Sequence, residues 1–120
     1  MGHNSTTVLG TADASAFRAI GRLRAMRAFE RRHLHCLKSI EDLDLVCEIG
    51  HHQGNHRPLT LKQVYLLGIG SVPTIQRRLR HLRHAGCVQQ RRGEGDRRTM
   101  ELTLSPRLVR VFGRYAALLG

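Results

Sequence analysis

The densest run of chemically capable side chains in this 120-residue sequence lies between Ser71 and Arg98, SVPTIQRRLRHLRHAGCVQQRRGEGDRR. Eight arginines stand there against Glu94 and Asp96, a net charge of +6. A guanidinium fork or a carboxamide pairs bidentately with a planar acceptor edge, and guanidinium also holds phosphate oxygens. By type and spacing, Arg77 and Gln76 suit base edges, and Thr74 and Pro73 suit a thymine methyl. Arg78, Arg80 and His84 suit phosphate, and His81 falls on the same side. Further along, Arg97 suits a minor groove, with Arg91 and Arg98 beside it for backbone phosphate and Asp96 to hold an arginine in place.

These groups need a rigid support. Ser71 is a plausible N-cap, and Pro73 falls in the first turn, where a missing amide hydrogen costs nothing. At 100° per residue Val72, Ile75, Leu79 and Leu82 form one stripe for a core, which turns Pro73, Thr74, Arg77, Arg80, His81 and His84 outward, with Gln76 on the flank. Ala85-Gly86 stops the helix, so it spans about 71–85. Cys87–Arg92 and Thr99–Leu104 then alternate as two strands around the Gly93-Glu94-Gly95-Asp96 turn, predicting a hairpin with a tip at about 91–99. Met100, Leu102 and Leu104 should share its inner face.

Upstream, Thr60-Leu-Lys-Gln63 reads as a capping box opening a short helix over Leu61–Leu67, and Gly68-Ile69-Gly70 turns the chain into Ser71. Leu61, Val64 and Leu67 should pack on Ile75 and Leu79. Helix, turn, helix, strand, tip, strand is the order of a winged helix-turn-helix. Ser39 caps a preceding helix to about Gly50, in which Ile40, Leu43, Val46 and Cys47 share a face. A long helix from about Ala14 to Leu37 carries Phe17, Ile20, Leu23, Met26 and Phe29 at every third position. Such a stripe winds around its axis and suits burial against two partners. Ser105-Pro106 opens a last helix with Leu108, Phe112, Tyr115 and Leu119 at helical spacing.

Three segments resemble the MarR family of bacterial transcription regulators: GSVPTIQRRLRHLRHAGCV, Asp96-Arg97-Arg98 at the hairpin tip, and LTLSP after it. The resemblance covers about Ser39 to Leu119. It implies a homodimer whose N- and C-terminal helices interlock, with two recognition helices reading a pseudo-palindrome in double-stranded DNA. It also implies that Arg97 is the minor-groove arginine, supported by Asp96. Typical members have a longer C-terminal helical region bordering their effector pocket; its shortness here counts against a small-molecule effector.

The expectation is therefore a mainly α fold with a small β-hairpin wing. A mobile segment 1–13 precedes one winged-helix domain, 14–120, with a DNA-binding lobe at about 39–105. The dimerisation helices lie at about 14–37 and 106–119. A formal charge of +11 and a pI near 11.3 favour a polyanionic partner. With no Trp, three Phe and two Tyr, neither a membrane-surface helix nor stacking on single strands is favoured. No signal peptide or membrane span is read, so the cytoplasm is the expected compartment.

Cys36, Cys47 and Cys87 are odd in number and far apart, which argues against a disulfide framework. Cys36, with basic neighbours, is the better redox thiol, and Cys47 reads as a buried small hydrophobe. The histidine and cysteine groups His33/His35/Cys36, Cys47/His51 and His52/His56 do not supply three convergent ligands, so no metal or other cofactor is expected. There is no phosphate loop, nucleophile elbow or triad, and hence no enzyme. A low-specificity architectural or replication-associated DNA binder and a protein-interaction module are the alternatives left open.

Overall fold

The computed structural model describes residues 10–119. Among the described residues, five helices and a two-stranded antiparallel hairpin follow in the order α1 (Thr11–His33), α2 (Ile40–Gly54), α3 (Leu61–Tyr65), α4 (Val72–His84), β1 (Val88–Arg92), β2 (Met100–Leu104) and α5 (Pro106–Leu119). The helix, helix, hairpin order of the sequence reading is therefore present, with a winged-helix lobe between two flanking helices.

Helix starts follow the capping chemistry. The Ser39 hydroxyl accepts the amide of Asp42, and the Ser71 hydroxyl that of Thr74. At α3, Thr60 and Gln63 satisfy each other's backbone amides in a full capping box. Gly68 and Gly86 hold φ of +75° and +76°, the left-handed geometry that lets the chain turn between α3 and α4 and leave α4 for β1.

The core forms where α2, α3, α4 and the hairpin meet. Leu45, Val46 and Ile49 of α2, Val64 of α3, Ile75, Leu79 and Leu82 of α4, and Leu102 of β2 are all buried. In the hairpin, Val88 pairs with Leu104 and Arg92 with Met100. Two amides of β2 tie it to the lobe: Leu102 N–H donates to the Leu59 backbone O at 2.8 Å, and Leu104 N–H to the Gln53 side-chain Oε1 at 2.7 Å. Thr60 bridges Glu101 as a single extra rung beyond the hairpin. The hairpin is thus anchored at its base and free at its tip.

Several boundaries differ from the sequence reading. Helix α1 starts at Thr11, so residues 11–13 of the expected mobile segment are helical, while residues 1–9 lie outside the described residues. It stops at His33, four residues early, because Leu34 leaves helical geometry and buries its side chain. Helix α2 continues to Gly54 and α3 ends at Tyr65. Leu67 and Val72 point largely outward; Val72 is the first residue of α4, so the buried stripe begins one turn later at Ile75. Ile40 and Cys47 on α2 are also exposed, because the buried face of that helix runs through Asp42, Leu45, Val46 and Ile49.

The stripe on α1 divides into two halves. Met26 and Phe29 pack on the core, whereas Phe17, Ile20 and Leu23 are more than half exposed. At the packed end Tyr115 of α5 sets its ring edge-on to Phe29, and its hydroxyl donates to Glu30 Oε2. Burial, then the bond to Glu30, pushes the phenol pKa well up, so Tyr115 remains a donor throughout the physiological range. The other end of α1 extends away from the lobe, giving the chain a 65 Å long dimension.

Because α4 is seated by Ile75, Ile75→Ala should destabilise the fold by about 2–5 kcal/mol. Val72→Ala, outside the stripe, should cost under about 1 kcal/mol. Urea midpoints of the two variants check this; comparable losses would mean that the stripe is misplaced.

Candidate nucleic-acid interface

Burying Ile75, Leu79 and Leu82 leaves one outcome for the rest of α4. Pro73, Gln76, Arg77, Arg80 and His84 are exposed, and Thr74 is half-buried at the helix start. Ser71 and Thr74 are occupied locally: the Ser71 hydroxyl donates to Thr74 Oγ1 at 3.0 Å, and Arg77 Nη2 reaches the same oxygen at 3.4 Å. The latter contact draws the Arg77 guanidinium back toward the N-terminal end of α4, where Pro73 and Gln76 also lie.

Two expected contact residues are engaged inside the protein. Arg78 Nε stands 3.2 Å from Oδ1 of Asp42, a fully buried carboxylate of α2, as an ion pair without aligned hydrogen-bond geometry. The other oxygen of Asp42 accepts the Lys38 backbone N–H at 2.8 Å. One carboxylate therefore holds the entry to α2 and the middle of α4 together. His81 turns toward the α1–α2 connection, where its Nε2 lies 2.8 Å from the Cys36 carbonyl oxygen. Arg78 and His81 thus fix the orientation of α4, and their side chains leave the outward-facing set.

The wing is braced by short polar contacts. Gly93 N–H donates to Thr99 O, and both the amide and the hydroxyl of Thr99 donate to Asp96 O, closing the tip. Asp96 Oδ1 accepts the Arg98 amide at 3.0 Å and Arg98 Nε at 3.3 Å. The carboxylate thus braces Arg98, whereas the sequence resemblance implied a pairing with Arg97. Arg97 contributes its carbonyl, which accepts from Arg92 Nη1 at 2.9 Å. Arg91, Arg97 and Arg98 are all exposed, Arg98 to 92% of its side chain. A Cβ on Gly93 would stand 2.6 Å from Thr99 Oγ1 and 3.0 Å from Asp96 O, so this tip requires glycine there.

Between the helix and the wing, Arg83 Nη1 donates to Gln90 Oε1 at 2.9 Å. Together with Cys87 N–H donating to Leu82 O, this sets β1 directly against the end of α4. The outcome is a helix and an adjacent ribbon that both expose arginines to solvent. Sequence reasoning missed the roles of Asp42, Arg83 and Arg92. Asp42 was visible only as the third residue of a helix start, and its partner lies on another helix.

Solved structures share this fold. The chain superposes on the crystal structure of MarR with a TM-score of 0.57 at 19% identity, over 88% of this chain and 74% of that one. A mutant of S. aureus MepR gives 0.57 at 15% identity, over 88% and 75% respectively. A SlyA-like transcription regulator from Listeria monocytogenes gives 0.56 at 11% identity, over 92% and 69%. The chain has the MarR-type winged-helix fold. No family model and no curated protein matches the sequence. In this fold α3 and α4 form the helix-turn-helix and β1–β2 the wing.

Among the described residues, no group of three or more His, Cys, Asp or Glu side chains converges as a metal site, and no helix is long and apolar enough to cross a membrane. Asp42→Ala should destabilise the protein by about 1–3 kcal/mol, since it removes the buried acceptor of the Lys38 amide and the charge paired with Arg78. Adding Arg78→Met should recover part of that loss. A double-mutant cycle by urea denaturation measures the coupling, and purely additive losses would deny the ion pair its role.

Proposed function

We propose that this protein is a sequence-specific transcriptional regulator that binds double-stranded DNA as a homodimer. The observation that carries this reading is the basic surface itself. Arg77, Arg80 and His84 on α4 and Arg91, Arg97 and Arg98 on the wing are each exposed to solvent, while Ile75, Leu79 and Leu82 of α4 are locked into the core. Helix α4 enters the major groove, with Arg77 and Gln76 on base edges and Pro73 and Thr74 near a thymine methyl. Arg80 and His84 hold phosphate. Ser71 supplies the cap that presents the helix N-terminus to the backbone. Arg97 occupies the minor groove, and Arg98, braced by Asp96, holds the adjacent backbone with Arg91.

The homodimer is supported by Phe17, Ile20 and Leu23, which form an apolar stripe on the part of α1 that extends past its own core. A second copy, related by a two-fold axis, covers that stripe and places two copies of α4 on one side of the assembly. The protein works without enzymatic chemistry and, as a DNA-binding regulator, in the cytoplasm of a bacterial cell.

Fluorescence anisotropy with the duplex upstream of the protein's own gene, against a scrambled duplex at two salt concentrations, tests the reading. A preference of about a thousandfold or more is expected. Arg77→Ala should cost about 1–3 kcal/mol and relax sequence preference. Arg97→Ala should weaken binding while leaving the dimer intact. Equal affinity for both duplexes, collapsing with salt, would instead make the protein a low-specificity architectural binder. No binding even at low salt would point to a protein-interaction module.

A further inference from the structure

Lys62 of α3 and Arg98 of the wing, far apart in sequence, line one surface groove of about 450 Å3 between the two elements. Leu61 and Tyr65 of α3 and Met100 of β2 also line it, each half-buried. Among the described residues, no carboxylate does. We propose that this groove seats one sugar-phosphate unit of the DNA backbone, with Lys62 as a phosphate contact and Asp96 as the residue that positions Arg98 for the same phosphate. The inference rests on the DNA-binding reading above and adds a contact from α3, an element to which that reading gives none.

Backbone pairing holds the groove open. Leu102 N–H donates to Leu59 O at 2.8 Å, and Thr60 bridges Glu101, so the start of α3 is fastened to β2. The side chains that line the groove are therefore not needed to hold its walls together. Of the five residues of α3, only Lys62 is charged. Leu61 and Tyr65 pack against the core, and Gln63 turns back to the Thr60 amide in the capping box. Lys62 is exposed and makes no ion pair among the described residues.

Arg98 reaches the groove already oriented. Asp96 Oδ1 accepts its amide at 3.0 Å and its Nε at 3.3 Å, which leaves the two terminal guanidinium nitrogens for a ligand. A pair of parallel N–H donors at that end matches the oxygens of a phosphate. A carboxylate at the wing tip repels a polyanion, so Asp96 counts against affinity unless it orients an arginine.

The lining also discriminates between ligands. A metal cation finds no carboxylate there, and a free inorganic anion leaves Leu61, Tyr65 and Met100 bare. A deoxyribose presents its C–H face to those three side chains while the phosphate joined to it meets Lys62 and Arg98. The Tyr65 hydroxyl can donate to the same phosphate. Contacts of this kind fix the register of a protein on a duplex and carry no sequence information. Losing one should therefore weaken every duplex alike, in contrast to losing Arg77.

The test uses the full chain and fluorescence anisotropy with the upstream and scrambled duplexes. Lys62→Ala should weaken binding to both by about tenfold and lower the salt slope by about one per copy. Its urea midpoint should match the parent's, which separates lost contact from lost fold. Asp96→Ala distinguishes orientation from charge. As a positioning residue its loss weakens binding, Asp96→Asn restores most of the affinity, and an Arg98→Ala background abolishes the weakening. Neutral methylphosphonates, placed one at a time across the footprint, locate the seat. At one position in each half-site the substitution should add nothing to Lys62→Ala or Arg98→Ala, yet still add to Arg77→Ala. Parental affinity and salt slope in Lys62→Ala, or losses that add at every methylphosphonate, would overturn the seat. Tighter binding by Asp96→Ala would overturn its positioning role. A parent protein that binds no duplex at low salt would overturn the DNA-binding reading itself, and the seat with it.

Discussion

Helix α4 has to satisfy two opposing demands with thirteen residues. It must bury a stripe deep enough to be held rigidly, and it must leave the rest of its surface polar and available. Ile75, Leu79 and Leu82 meet the first demand at spacings of four and three residues. Once they are seated in the core that α4 shares with α2 and the hairpin, the direction of Gln76, Arg77 and Arg80 is no longer free. The wing depends on the same seating, because β1 leaves the C-terminal end of α4 through Gly86 and is tied back to it by Arg83.

The buried stripe sets the tilt of α4 but leaves it able to slide or roll, and the polar contacts remove that freedom. Asp42 is surrounded by protein and would be costly there without its partners. Its two oxygens instead join the Lys38 amide to Arg78, so the charge specifies where α4 sits along α2. His81 and the Cys36–Cys87 pair fasten the far end of the same helix to the α1–α2 connection. Three of the side chains that make α4 look uniformly basic in sequence thus serve different ends: Arg77 faces out, while Arg78 and His81 face in.

Local chemistry was legible in the sequence, and distant pairing was not. The Ser71 cap, the Thr60–Gln63 capping box, the glycine stops and the hairpin each depend on residues close in sequence, and all are present in the fold. The inward turn of Arg78 and His81 depends on Asp42 and Cys36, which periodicity along α4 alone cannot register. The cysteine pair was missed for the same reason, since a spacing of 51 residues carries no signal until α1, α2 and the hairpin are assembled. Asp96 was expected to support Arg97 and instead grips Arg98, because the amide two residues on is the nearest donor to an Asx-type carboxylate.

The arrangement as a whole makes a geometric demand on its target. Under the proposed function, two copies of α4 related by a two-fold axis must meet major grooves on one face of a duplex, and two wings must meet the flanking minor grooves. Hydroxyl-radical footprinting of the upstream DNA examines this most directly. Two inversely related protected segments, with centres about one helical turn or a multiple of it apart and additional minor-groove protection outside each that vanishes with Arg97→Ala, are the expected result. Uniform protection without a two-fold pattern, or a pattern indifferent to Arg97, would contradict the assignment of α4 and the wing as a paired DNA-reading surface.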